Sequence, residues 1–397
     1  MKINKSILIT AILSAMTLIS FAQSNPTIYD PEAYQAELLR QQKQGARIIP
    51  TAVPLLMIAP DSRAGAMGDI GVATTPDANS NHWNAAKLAF ADKKMSASFT
   101  YSPWLRDIVG DIDLAYLSGY YKLNDRSAVG ASLTYFSLGN IQFTDNQGQS
   151  LGTYSPNEFA IDISYSMKLS ENLSAAVTGR YIRSDLTQGQ NVGTSTTHAA
   201  NAVAADLGIY YQKDIAADNP QQIAFGAQIS NLGNKISYSD DDMESSFLPA
   251  NLRIGGRYTY NMDQFNKFSF MLDLNKLLVP TPPILDTLGN VVYGKDNNVG
   301  ILQGAFQSFY DAPDGFSEEL KEINVSLGAE YWYNNLLAVR AGYFYENKMK
   351  GDRQYLTMGM GLKYNSLGID ISYLVPTASH NNNPLKNTLR VSLSFDF

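Results

Sequence analysis

Leu389-Arg-Val-Ser-Leu-Ser-Phe-Asp-Phe397, the last nine residues, alternates apolar and polar side chains without a break. As a strand it would point Leu389, Val391, Leu393, Phe395 and Phe397 one way and Arg390, Ser392, Ser394 and Asp396 the other. A bilayer-crossing strand needs about 9–11 residues, apolar toward lipid and polar toward a lumen. A soluble sheet can show one such strand, so recurrence decides the reading. The pattern returns from residue 95 to the end, in about fourteen strand candidates. We therefore expect an all-β chain closed into a transmembrane antiparallel barrel.

The connections between candidates are sorted by length. Leu123–Arg126, Leu169–Asn172, Asn261–Gln264, Asn334–Asn335 and Asn365–Gly368 read as tight turns. Between them lie longer polar stretches, among them Thr144–Gly152, Thr187–Thr197, Lys235–Ser246 and the longest, Pro280–Leu320. Barrels of the outer membrane show this asymmetry, whereas a sandwich or propeller has no reason to. Tyr120-Tyr121, Tyr210-Tyr211, Tyr258 with Tyr260, and Tyr331-Trp332-Tyr333 fall just before tight turns, as an interfacial aromatic girdle would. An even strand count predicts both termini on the periplasmic side.

Composition agrees and excludes several classes. Charged residues are only 17% while Tyr (24) and Phe (17) are abundant. The net charge of −7 leaves nothing to neutralise phosphates, so no nucleic-acid partner is expected. Cysteine is absent, which removes disulfides, thiol nucleophiles, zinc–thiolate sites and a lipoprotein anchor. No metal site or cofactor is expected.

Before the strands the chain divides into three. Residues 1–22 read as a signal peptide, with Lys2 and Lys5 ahead of an apolar Ile7–Ile19 and Ser20-Phe-Ala22 before the cut. Residues 23–53 are expected to be a polar periplasmic segment with a short helical pattern over 31–44. Residues 54–92 differ, being rich in glycine and small side chains, and suggest a compact hatch inside a barrel of residues 93–397. The spacing of Gly65, Gly68 and Gly71 resembles a phosphate loop, but no strand, Gly-Lys-Ser or β-α-β context supports one.

Candidate lumen charges are Asp113, Asp162, Arg180, Asp206, Arg253, Arg257, Asp273, Glu330, Arg340, Asp370, Arg390 and Asp396, expected to pair with one another and with Asp61, Arg63 and Asp69 of the hatch. The histidines are His82, His198 and His380, and neither a Gly-x-Ser-x-Gly elbow nor a His-Glu-x-x-His motif is present. No catalytic role is expected.

Pro54-Leu-Leu-Met-Ile-Ala-Pro-Asp61-Ser-Arg63-Ala-Gly65-Ala-Met-Gly68-Asp69-Ile-Gly71, continuing to Asn79 and then His82-Trp83-Asn84, closely resembles the PorV (LptO) family of the type IX secretion system of Bacteroidetes. More distantly it resembles FadL-like barrels of fourteen strands, although Asn84-Ala-Ala-Lys-Leu88 carries Ala85 where their Asn-Pro-Ala-x-Leu hatch motif has proline. The resemblance implies an integral outer-membrane protein in contact with outer-membrane lipid. It would receive cargo proteins by their C-terminal signal domains from the translocon channel and pass them to a surface attachment complex with a sortase-like protease. Hatch residues Asp61, Arg63, Gly65, Gly68, Asp69, Trp83 and Asn84 are its binding candidates. In the longest loop, Pro280, Pro282, Pro283, Phe306, Phe309 and Tyr310 are candidates for the cargo and partner surface. Alternatives are a FadL-like transporter of hydrophobic small molecules, which requires a greasy lumen, and a lipid A O-deacylase, for which no nucleophile motif is found.

Overall fold

The computed structural model describes residues 45–104, 110–144, 147–190, 196–215, 221–239, 245–377 and 388–397. Signal peptide, helical pattern at 31–44 and His380 lie outside them. The chain divides into two units, Met1–Gly45 with Ile284–Val292, and Ala46–Pro283 with Tyr293–Phe397. In the described part of the first, Asp286 closes a turn by accepting bonds from the backbone of Leu288 and Asn290. The second unit is the barrel.

Its strands are β1 (Met95–Pro103), β2 (Asp113–Lys122), β3 (Ser127–Ser137), β4 (Asn157–Lys168), β5 (Leu173–Asp185), β6 (Ala200–Asp214) and β7 (Gln221–Gly233). They continue with β8 (Asn251–Asn261), β9 (Asn266–Leu277), β10 (Asn324–Tyr333), β11 (Leu337–Tyr345), β12 (Gln354–Tyr364), β13 (Leu367–Pro376) and β14 (Leu389–Asp396). Each pairs antiparallel with its sequence neighbours, and β1 pairs with β14 from Ser96↔Asp396 to Tyr101↔Val391, closing the barrel. Closure leaves no strand edge, so every ladder hydrogen bond is made within the wall and none is lost to lipid. Among the described residues no helix is long and apolar enough to cross a membrane.

The two-residue rhythm sorts side chains as expected. In β6, Val203, Leu207 and Ile209 are exposed on the outer face, while Asp206 is 1% exposed inside. In β1 the inward Ser96, Ser98, Thr100 and Ser102 are buried and the outward Phe99 and Tyr101 exposed. Asp113 departs from expectation. It lies on the outer side of β2, where the Tyr101 hydroxyl donates to it at 2.6 Å.

Tight turns collect at one end and long connections at the other. Asn334 and Asn335 both adopt positive φ (53° and 50°), which gives the primed turn that matches strand twist between β10 and β11. At the long-loop end β3 stops at Ser137 and β4 begins only at Asn157. Gly139 turns the chain (φ 76°), and Ile141–Thr144 with Ser150–Tyr154 form a separate hairpin.

The hatch consists of short helical turns (Pro54–Met57, Ser62–Gly65, Ser80–Trp83 and Ala85–Phe90) linked by buried irregular chain. Its direction corrects one expectation. Arg47 and Ala52 donate backbone bonds to Met349 and Phe247 of the long loops, and Leu55 packs with Trp104 and Ile112 at the same end. Leu88 and Ala91 pack with Tyr120 and Ala128 at the tight-turn end, where Phe397 also pairs with Met95. Residues 46–53 therefore lie at the end opposite the carboxyl terminus, not beside it, because the hatch runs the length of the lumen before the chain enters β1.

Candidate functional site

A run of glycine and alanine folds inside the barrel because polar side chains at its bends take up the backbone bonds that regular structure would satisfy. Asp61 caps the turn Ser62–Gly65 by accepting from Ala64 N at 2.9 Å, and its second oxygen accepts from Trp83 Nε1 at 2.6 Å. Asp61 was expected to face the wall. It instead ties the hatch to itself, since both donors belong to the hatch. Trp83 reaches the wall through Arg253, whose guanidinium lies 4.5 Å above its ring.

Arg63 does face the wall. It donates twice to Glu330 of β10, at 3.0 and 2.9 Å, and at 2.8 Å to Asp77 of the hatch. Glu330 also accepts from Arg340 at 2.7 Å, and Arg340 continues to Asp370 at 2.5 Å. A second cluster lies across β4, β5 and β6, where Arg180 joins Asp162 at 2.6 Å and Asp206 at 3.1 Å. Asp273 accepts from the backbone of Gly71 and Val72 at 2.9 and 3.0 Å. Charges read from alternation thus join strand to strand within the wall, and Glu330 and Asp273 bolt the hatch to it.

The glycine spacing finds its reason here. Gly68 needs its positive φ of 72°, and a Cβ there would meet the Tyr343 backbone at 2.7 Å. A Cβ on Gly71 would meet the Trp83 side chain at 2.2 Å, and Gly65 lies against Arg390. Asp69, also at positive φ, accepts from the Tyr355 hydroxyl. Asn84 caps Ala86 N and donates to Val72 O and Ile209 O, joining two hatch segments to β6.

Sequence reading missed Asn81 and Lys87. Asn81 exchanges bonds with Ser118 of β2 and Ser164 of β4, and Lys87 is fully buried with its ammonium on Gly71 O and Thr74 Oγ1. A lysine and an asparagine in a small-residue stretch without charged neighbours were the available signal.

Between hatch and wall lies a cavity of about 70 Å³, lined by Arg180, Arg253, Asn231, Asn275, Trp83 and Tyr355 among others. Leu56, Met57, Leu277 and Phe344 complete the lining, which is more polar than apolar.

At the long-loop end a buried ionic cluster fixes the loop after β9. Arg47 bonds Glu318 at 2.6 Å and Asp314 at 2.7 Å. Lys350 bonds Glu318 and Glu322 at 2.7 Å each, and Lys276 bonds Glu322 at 2.5 Å and Glu319 at 3.0 Å. Burial opposes ionisation of Glu318, but bonds from Arg47 and Lys350 outweigh it and hold its carboxyl down at about 2. Asp311 goes the other way. Burial and the neighbouring Glu319 push it up to about 6, although Thr281 N donates to it.

On this base the candidate loop residues separate into support and surface. Pro280 is buried beneath Gly304 of the helix Ile301–Gln307, and Pro282 and Pro283 are half-buried beside it in sequence. Phe306 (71% exposed), Phe309 and Tyr310 (60%) face outward, with Leu302 and Phe316 also exposed. Lys295 lies 3.6 Å from the Tyr310 ring.

Comparison with known proteins fits this geometry. A solved structure, the TodX deltaS2S3 mutant monoaromatic hydrocarbon channel, aligns over 85% of this chain and 99% of its own at 15% identity and a TM-score of 0.50. The Ralstonia pickettii toluene transporter TbuX aligns over 85% and 98% at 14% identity (TM-score 0.47). A Pseudomonas aeruginosa FadL homologue aligns over 89% and 100% at 12% identity (TM-score 0.42). The first of these establishes a shared barrel fold and nothing about substrate. No curated protein matches the sequence. The model of the family "Type IX secretion system protein PorV" matches residues 40–284, more than half of the chain and the whole of the hatch. This outer-membrane barrel belongs to the PorV family of type IX secretion proteins.

Proposed function

We propose that the protein is a docking component of type IX secretion. It receives cargo by the C-terminal signal domain from the translocon channel and hands it to the surface attachment complex with its sortase-like protease. The long-loop end faces outward in this reading and the tight turns face the periplasm. One observation carries it, the exposed Phe306, Phe309 and Tyr310 on a loop fixed from below by buried ion pairs. Apolar side chains held out on a rigid base are what a protein partner needs, because little ordering entropy is lost on binding.

The filled lumen supports the same reading. Buried ion pairs hold the hatch to the wall, and a cavity between them of about 70 Å³ is lined in large part by polar side chains, which suits a fixed plug better than a channel for greasy solutes.

The test replaces Phe306, Phe309 and Tyr310 by serine. Folding is checked by heat-modifiable electrophoretic mobility, and capture of a tagged cargo C-terminal domain by pull-down from detergent. We expect a folded barrel whose capture falls at least tenfold. Undiminished capture by a folded triple variant would remove the loop from the account.

A further inference from the structure

Three arginines of the inner face, Arg253, Arg257 and Arg390, make no ion pair among the described residues. Arg257 and Arg390 are 4% and 1% exposed, and Nε and Nη1 of each are sealed off without a partner. Arg253 of β8 differs, because it lines the cavity between hatch and wall. Its Nε donates to Asn275 Oδ1 at 2.5 Å, and its guanidinium lies 4.5 Å from the Trp83 ring. Those two contacts hold the side chain in place. Nη1 and Nη2 have no hydrogen-bond partner among the described residues.

The neighbours of this open fork are donors. Asn275 sits opposite Arg253 across the β8–β9 ladder, and with its oxygen engaged by Nε its amide nitrogen is left for the cavity. Asn251 lies two residues along the same inner face and lines the cavity as well. The other charged groups of the lining are already engaged. Arg180 is held by Asp162 and Asp206, Arg353 by Glu346 at 2.7 Å, and Asp69 accepts from the Tyr355 hydroxyl.

We propose that this cavity is a carboxylate-binding site, with both carboxylate oxygens on the Arg253 fork and the amides of Asn275 and Asn251 beside them. A guanidinium offers two parallel N–H groups at the spacing of a carboxylate, and one already fixed by stacking loses little entropy on binding. An unpaired charge away from bulk water is costly, and an entering anion offsets that cost. A single free arginine near Asp69 answers one negative charge and not the two of a phosphate. A cavity of about 70 Å³ has room for about five waters, enough for a carboxylate and a few further atoms but not for a long acyl chain. Either a small free acid or the end of a peptide chain supplies such a group. The site stands apart from the exposed loop aromatics and does not rest on their role.

Isothermal titration calorimetry of the full chain in non-ionic detergent tests this with propionate, its uncharged isostere propionamide, inorganic phosphate, and acetyl-tetraglycine with a free or an amidated end. Propionate should bind at least tenfold more tightly than propionamide or phosphate. Arg253→Lys keeps the charge but loses the fork, and should weaken propionate at least tenfold. Asn275→Asp sets a carboxylate of unchanged size against Arg253, and should abolish binding in a barrel that still shows its heat-modifiable shift. Binding of the free-ended peptide but not the amidated one supports the site with a chain end as the source. Binding of propionate alone supports it with a small acid as the source. Equal binding of propionate and propionamide, tighter binding of phosphate, undiminished binding by folded Asn275→Asp, or no binding of any probe at millimolar concentration would each overturn the proposal.

Discussion

Arg180 shows what one residue does in a lumen. It sits between Asp162 and Asp206, and all three are buried. Replacing it with methionine leaves two carboxylates without a counter-charge, which should cost about 3–5 kcal/mol, read by denaturant unfolding in vesicles. Adding Asp162→Asn and Asp206→Asn should restore most of that loss, because neutral amides tolerate burial where carboxylates do not. Strand alternation alone put these three on the inner face. Nothing in the sequence paired them, since register between neighbouring strands is set by turns and bulges, such as the irregularity between Ala205 and Leu207. Asp61 was less legible still. Its partner Trp83 is 22 residues away within irregular chain, where no period predicts contact.

At the scale of elements, the outer face of a strand and the loop after β9 make opposite demands. Leu207 faces lipid, so Leu207→Arg should destabilise the barrel by about 2–4 kcal/mol in vesicle refolding, with a smaller loss for an arginine placed nearer either girdle. The loop is instead governed by protons. Glu318 is held low, so it contributes stability above its ordinary value near 4.5, lost as pH falls from there toward 2. Asp311 is raised, so its charged form opposes folding, and the loop should gain stability as pH falls from about 7 through 6. Protease nicking of the loop between pH 8 and 5.5 should slow on acidification in the wild type. In Asp311→Asn that dependence should flatten, because the amide keeps an acceptor for Thr281 N without a charge near Glu319, Glu322 and Lys276. The loop was visible in sequence as a long polar stretch with prolines. Its ionic base was not, because Arg47, Lys276 and Lys350 come from three distant segments.

For the whole molecule, strand count and loop sorting were legible because a two-residue period and alternating turn lengths are local properties repeated many times. The path of the hatch was not, because it depends on which end of a finished barrel its first residues meet. Cysteine pairs test that path. Arg47→Cys with Met349→Cys should cross-link under oxidation in the folded protein, since the backbones of these residues bond at 2.7 Å. A barrel that unfolds cleanly and never cross-links would reverse the hatch.

The seam between β1 and β14 is formed by the first strand after the hatch and the final strand of the chain. A plug that runs end to end cannot be pushed through a sleeve already sewn shut, so it must be laid in place while that seam is open. Biogenesis of this protein then has a fixed order of events. The hatch is laid in first, and the pairing of β14 with β1 acts as the zip.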